Sequence, residues 1–226
     1  MSSSSSSSIY PWKYDIFLSF RGKETRKSFV HHLYVALNRN GINTFRDDNN
    51  IRRGEDIALE LLETIGESWG SIIVFSEGYA FSSWCLDELV EIVKQRNERG
   101  HQVYPIFYNV EVSDLKYQRG RVHEAFGMHE ERCKDNKKKM QRWRDALSQV
   151  ADISGWLLKD QYESIFIEDI VKKISTKLSQ TYSQLKHLNS KFNIGQDDVR
   201  TIGVCGTSGT RWTICIHLQH WMPEQL

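Results

Sequence analysis

Short apolar runs rich in β-branched and aromatic residues alternate along this chain with stretches in which apolar residues recur every three or four positions. The runs Tyr14–Phe20 (YDIFLSF), Ile42–Phe45 (INTF), Ser71–Phe75 (SIIVF), Val103–Tyr108 (VYPIFY) and a weaker Trp156–Leu158 are predicted strands. Phe29, Leu33, Ala36 and Leu37 share one face of a predicted helix, as do Leu86, Leu89, Val90 and Val93. A charged helical stretch spans Val122 to Ala151, with Trp143, Leu147 and Val150 in one row, and Ile165 to Leu178 predicts a last amphipathic helix. Strands alternating with helices give right-handed βαβ units: an α/β, doubly wound sheet of about five parallel strands with helices on both faces. Burial on both faces explains why the strands read as nearly continuous apolar runs. Pro105 is the misfit, because proline cannot donate to a ladder and belongs on an edge strand or at a strand start.

Composition narrows the picture. A chain of 226 residues has room for one sizeable core and for segments too short to make a second. Thirty basic against 29 acidic residues leave a net charge of +1, which provides no field drawing the protein to nucleic acid or to an acidic membrane. The Lys137–Lys139 run therefore reads as a solvated turn or helix end. Cys85, Cys133, Cys205 and Cys215 lie far apart with no C-x-x-C pair, which argues against a metal site or a disulfide framework and fits a reducing compartment. Ser2–Ser8 lacks an apolar core of the signal-peptide kind, and no apolar run approaches the ~20 residues a membrane span requires. The expectation is a soluble intracellular protein, cytoplasmic or nuclear. Its parts are a disordered serine-rich tail over 1–13, a domain over 14–180, a polar linker over 181–200 and a remainder over 201–226.

In a doubly wound parallel sheet, ligands bind outside the carboxyl ends of the strands. Three polar segments follow strands directly: Arg21 to Arg26, Arg46 to Gly54 and Ser76 to Glu88. The first two carry Arg21, Arg26, Arg46, Arg52 and Arg53 with a glycine each, and the third delivers Glu88. Cations and loop amides beside a carboxylate suit a ligand that has phosphates and develops positive charge, such as a dinucleotide. On a 100° wheel Glu88 projects away from the stripe of Leu86, Leu89, Val90 and Val93, on the side of Trp84. With Ser82 or Ser83 as N-cap it falls in the second helical turn, where the helix dipole still favours a carboxylate. Spacing alone favours an idle surface charge, since glutamates on exposed helix faces are common.

The stretches YDIFLSFRGKETRKSFVHHLYVAL, GINTFRDDNNIRRGEDI, SSWCLDELVEIV and VYPIFYNVEVSDLKYQRG resemble, in order, the Toll/interleukin receptor (TIR) domain at the amino terminus of plant intracellular immune receptors. The resemblance covers about Tyr14 to Gln180 and implies a flavodoxin-like fold. It also implies NAD+ cleavage, with NAD+ as substrate, no prosthetic group and no metal. The catalytic glutamate is that of the W-C-L-x-E-L motif, here Glu88, with Trp84 beside it. Arg21, Gly22, Lys23, Glu24, Thr25 and Arg26 then line the nucleotide side, and Gly54 lets backbone approach the ligand. Other TIR domains are the implied partners, through the face of His32 and the loop Asp47–Gly54, so that assembly completes the site. His31 departs from the serine common there, and Lys23 and Ile51 are mild variations.

Beyond the expected linker, VRTIGVCGTSGTRWTI looks like the entry to a nucleotide-binding domain whose phosphate loop is spoiled. Counting from Gly206, Arg211 stands where that loop needs glycine and Trp212 where it needs lysine, so neither ATP nor GTP is expected to bind. The tail CIHLQHWMPEQL reads like a truncated or frame-shifted end, and 181–226 is expected to be poorly packed. Two functions follow: an NAD+ nucleosidase activated by self-association, or a noncatalytic adaptor or decoy that acts through TIR–TIR contacts.

Overall fold

The YDIFLSF run forms β1 (Tyr14–Phe20), buried from Asp15 onward because strands flank it and helices cover both its faces. Beside it lie β2 (Thr44–Arg46) and β3 (Ser68–Phe75), and β4 (Gln102–Tyr108) and β5 (Trp156–Leu158) continue the sheet. Every pairing is parallel, in the order β2-β1-β3-β4-β5. That is the flavodoxin-like order, whose path reverses between β1 and β3 and opens a crevice there. The computed structural model describes residues 11–47, 55–132, 136–158, 162–192, 202–205 and 211–214.

The helices are α1 (Gly22–Thr25), α2 (Phe29–Arg39), α3 (Glu55–Gly66), α4 (Ser83–Arg99), α5 (Val112–Tyr117), α6 (Gly120–Arg132), α7 (Lys137–Ala151) and α8 (Glu163–Phe192). Alternation along the strands divides them between two layers. Phe17, Ile73, Phe75 and Phe107 join one buried cluster with Ile65 of α3, Leu86 and Leu89 of α4, Phe126 of α6 and Trp143 of α7. Phe17 stacks on Phe45 at 5.5 Å and Phe75 on Phe107 at 5.7 Å, so aromatic pairs tie neighbouring strands on this face. Ile16, Leu18, Ile72, Val74 and Ile106 are buried on the other face. There Phe29 of α2 meets Tyr108 at 5.0 Å and Phe166 of α8 at 6.0 Å.

The start of β3 and the place of Pro105 differ from the pattern reading, each for a local reason. β3 begins at Ser68, three residues early, because Gly70 accepts the close approach of β4: a Cβ there would lie 2.9 Å from the carbonyl oxygen of Gln102. Pro105 is not on an edge strand, since β4 lies between β3 and β5. It sits where the β5 ladder has not yet begun, the first pairing being Ile106 with Trp156. A strand residue sends its N–H and C=O to the same side, and the Pro105 carbonyl faces Gly155, whose added Cβ would lie 2.3 Å from it. The missing donor therefore faces a gap in the ladder.

The sequence divides into a unit over Trp12–Thr176 and a second one that begins at Lys177. Residues 181–192, read from sequence as part of a linker, continue α8. Tyr182, Leu185, Leu188 and Phe192 extend the three- and four-residue spacing that their polar neighbours conceal. Further on, β6 (Ile202–Cys205) and β7 (Arg211–Ile214) form an antiparallel hairpin with Val204 opposite Trp212. The segment expected to be poorly packed thus holds regular structure in part, and Arg211 and Trp212 lie in a strand where an intact phosphate loop would open a helix.

His101, at the start of β4, is buried, and its Nε2 lies 2.8 Å from Ser71 Oγ. Burial lowers its pKa from 6.5 to about 4, opposed by a backbone hydrogen bond at Ser68. The folded state thus favours neutral imidazole. The stability this contributes is complete above pH 6.5 and is lost as pH falls through about 4. The gap corresponds to up to ~3 kcal/mol. Between pH 7 and pH 4.5 the unfolding temperature of the wild type is expected to fall more steeply than that of His101→Gln, and parallel falls would overturn this assignment.

Candidate active site

The chain leaves β3 through a 3-10 turn at Tyr79–Phe81 and enters α4 at Ser82, whose side chain accepts the Cys85 N–H at 3.3 Å. This cap sets the phase of α4, and Glu88 emerges in its second turn. The side chain is half-buried rather than solvated, and its Oε2 accepts the Ser19 hydroxyl at 2.7 Å. Ser19 is fully buried near the carboxyl end of β1, on the same face as Phe17. Its Oγ lies 2.8 Å from the Tyr79 hydroxyl, whose proton is within reach of the Cys85 carbonyl as well, at 3.0 Å. Burial first, with Cys85 and Glu88 adding to it, pushes the Tyr79 phenol well above its ordinary range, so it stays a protonated donor. Glu88 therefore stands at the reversal between β1 and β3, where this fold places its crevice.

The loop after β1 is tied to the same corner. Arg21 donates from Nη1 to the Gly78 carbonyl at 2.9 Å, and its guanidinium lies 5.8 Å from the centre of the Phe81 ring. Thr25, buried in α1, donates to the Arg21 carbonyl at 3.1 Å, and Arg26 lies 5.2 Å over Phe20. Gly22, Lys23 and Glu24 complete α1. Trp84 is half-buried in the first turn of α4. The structure thus gathers Arg21 to Arg26, Trp84 and Glu88 near the carboxyl ends of β1 and β3.

Arg46 does not join them. It follows Phe45, which stacks on Phe17 beneath α4, so alternation turns Arg46 to the opposite face. There it lies 4.1 Å over Tyr34 of α2 and 3.3 Å from His31 Nδ1. Grouping it with the cations of the crevice is corrected by this pairing. His32 Nδ1 lies 2.9 Å from Glu163 Oε1 on α8. Arg52, Arg53 and Gly54, with most of the loop after Asp47, lie outside the described residues. A shallow concavity of about 290 Å³ between α2 and α8, lined by Asn40, Glu168 and Lys172 among others, lies on the sheet face away from Glu88.

Sequence reading passed over two features. One is Ser19, and the available signal was a hydroxyl inside the apolar stretch 16–20 of β1. The other is Asp87, beside Glu88, whose Oδ1 accepts Trp143 Nε1–H at 2.9 Å and whose Oδ2 accepts Lys139 at 2.8 Å. Lys137 and Lys138 are exposed at the start of α7, as a solvated helix end should be, but Lys139 fastens α7 to α4. Among the described residues no cluster of three or more histidine, cysteine or acidic side chains is arranged to hold a metal ion, and no helix is long and apolar enough to cross a membrane.

The TIR domain family model matches residues 13–194. Disease resistance protein RPV1 of Vitis rotundifolia is 47% identical over 222 residues, covering 92% of this chain and 16% of that protein. TMV resistance protein N of Nicotiana glutinosa is 43% identical over 221 residues, covering 92% of this chain and 19% of that protein. The TIR domains in the structure of the activated Roq1 resistosome, which directly recognises the pathogen effector XopQ, superpose with a TM-score of 0.65 at 46% identity. That match covers 71% of this chain and 99% of the Roq1 chain. The chain spans less than a quarter of the length of the two plant resistance proteins. With the five-stranded order and the family model in agreement, this chain belongs to the TIR domain family.

Proposed function

We propose that this protein acts in plant immune signalling as an NAD+ nucleosidase, with Glu88 as the catalytic carboxylate and self-association as the activator. The observation that carries the reading is the Glu88 carboxylate, held at 2.7 Å by Ser19 in the crevice between β1 and β3. In NAD+ the bond between ribose C1′ and the pyridinium nitrogen breaks with its electron pair going to nicotinamide, which leaves neutral. No acid has to protonate the leaving group, so one carboxylate suffices where glycosidases with poorer leaving groups use two. Glu88 stabilises the ribosyl cation by its charge or through the ribose hydroxyls. Water then adds at C1′ and loses a proton, giving ADP-ribose; attack by a group of the same molecule gives a cyclic product instead. Arg21 and Arg26 supply positive charge for the diphosphate. Likeness to TIR domains of an activated Roq1 resistosome supports activation by assembly. In this reading the protein acts in the cytoplasm or nucleus and assembles through the His32 face and the Asp47–Gly54 loop.

The test is nicotinamide release from NAD+ by the purified protein across a concentration series, with and without a crowding agent. Release per mole of protein is expected to rise steeply with concentration. An inert protein that still associates with other TIR domains would replace this reading with that of a noncatalytic adaptor.

A further inference from the structure

Glu88 is one end of a hydrogen-bonded line that runs into the core. A buried hydroxyl is costly unless bonded, and both Ser19 and Tyr79 are fully buried, so each must spend its proton inside the protein. Three short contacts share these two protons: Ser19 to Glu88 at 2.7 Å, Ser19 to Tyr79 at 2.8 Å, and Tyr79 to the Cys85 carbonyl at 3.0 Å. An ionised carboxylate only accepts, so the Ser19 proton belongs to Glu88. The Cys85 carbonyl lies within α4, where the helix ladder offers it the N–H four residues on. Tyr79 can therefore turn its proton to Ser19 and leave no acceptor stranded. The neighbouring Asp87 does not compete for either hydroxyl, because Lys139 and Trp143 engage both of its oxygens.

We infer that Ser19 and Tyr79 are positioning residues for Glu88: the line Tyr79 to Ser19 to carboxylate pins a flexible glutamate to the sheet edge in one reactive orientation. The inference rests on the role given to Glu88 above. Each donor polarises the next, and the line is anchored in a central strand and a tight turn rather than in a mobile loop. Neither hydroxyl touches the substrate in this scheme. Their contribution is to hold the orientation of a group with three rotatable bonds before the reaction begins.

The experiment compares Tyr79→Phe, which keeps the ring, with Ser19→Ala and with Ser19→Thr, which returns a hydroxyl. Each is made in the full chain and checked for folding by thermal unfolding. In Tyr79→Phe and Ser19→Ala, kcat for nicotinamide release is expected to fall roughly tenfold with KM for NAD+ changed less than about twofold, and Ser19→Thr recovers most of the loss. In parallel, the side-chain carboxyl carbon signal of Glu88, assigned by its absence in Glu88→Gln, is expected to move in Ser19→Ala toward that of solvent-exposed glutamates. A folded Tyr79→Phe with unchanged kcat, or a Ser19→Ala in which the Glu88 signal stays in place, overturns the inference. If the wild type releases no nicotinamide, the nucleosidase reading fails by itself, and the carboxyl signal still decides whether the hydroxyls position Glu88.

Discussion

Glu88→Ala is expected to lower nicotinamide release by about a hundredfold or more, the scale on which removal of one preorganised stabilising group acts in other active sites. The physical ground is that bond breaking leaves positive charge on the ribose, and Glu88 is the carboxylate that the crevice between β1 and β3 presents. Glu88→Gln keeps the length and one acceptor oxygen but no charge, so it separates two roles. If charge matters most, Gln is nearly as inactive as Ala; if hydrogen bonds to the ribose hydroxyls matter most, Gln retains a measurable fraction. Neither change should unfold the protein, because Glu88 is half-buried and Ser19 and Tyr79 can still bond one another at 2.8 Å. TIR association should persist in both variants. Equal nicotinamide release by wild type and Glu88→Ala would remove Glu88 from the chemistry without touching the fold.

Trp143→Ala should produce the largest loss of stability among single changes near this corner. The indole is 1% exposed, stands 5.0 Å from the His129 ring and lies in the cluster formed by α3, α4, α6 and α7 beneath the sheet. Truncating a buried aromatic to alanine costs about 3–5 kcal/mol through lost burial and the cavity left behind. For a domain of this size, that lowers the unfolding temperature by on the order of 10 °C. The same change removes one of the two donors that fix Asp87, so the rotation of α4, and with it the aim of Glu88, loses a restraint. Trp143→Phe isolates that second effect: most of the burial remains, while the Nε1–H is gone. Its expected cost is smaller, about 1–2 kcal/mol, with Lys139 still holding the other oxygen at 2.8 Å. Calorimetry of the two variants checks the order. A Trp143→Ala protein as stable as wild type would mean that α7 does not secure α4.

Most of the architecture is legible in the sequence alone. Five strand runs and the intervening helical spacing gave an α/β sheet of the right strand number, because a strand buried on both faces must be apolar throughout and that leaves a local mark. What local marks hide are places where a polar or small residue is tolerated for a tertiary reason. Gly70 and Ser71 look like a break before a strand, yet Gly70 is needed where Gln102 comes close. Pro105 looks like an edge residue, yet it occupies a gap in an internal ladder.

The site shows the same division. The sequence by itself determined the fold class, the helix that carries Glu88, its separation from the apolar stripe and the motif residues around it, since these depend on period and order along the chain. Only the tertiary structure decided which carbon face each strand end presents, and so sent Arg46 to Tyr34 and His31 rather than to the crevice. It alone brought Ser19 to Glu88 across 69 positions and Asp87 to Trp143 across 56. A hydrogen bond between distant segments leaves no period in the sequence, because its partners are matched by the packing of sheet and helices and not by spacing along the chain.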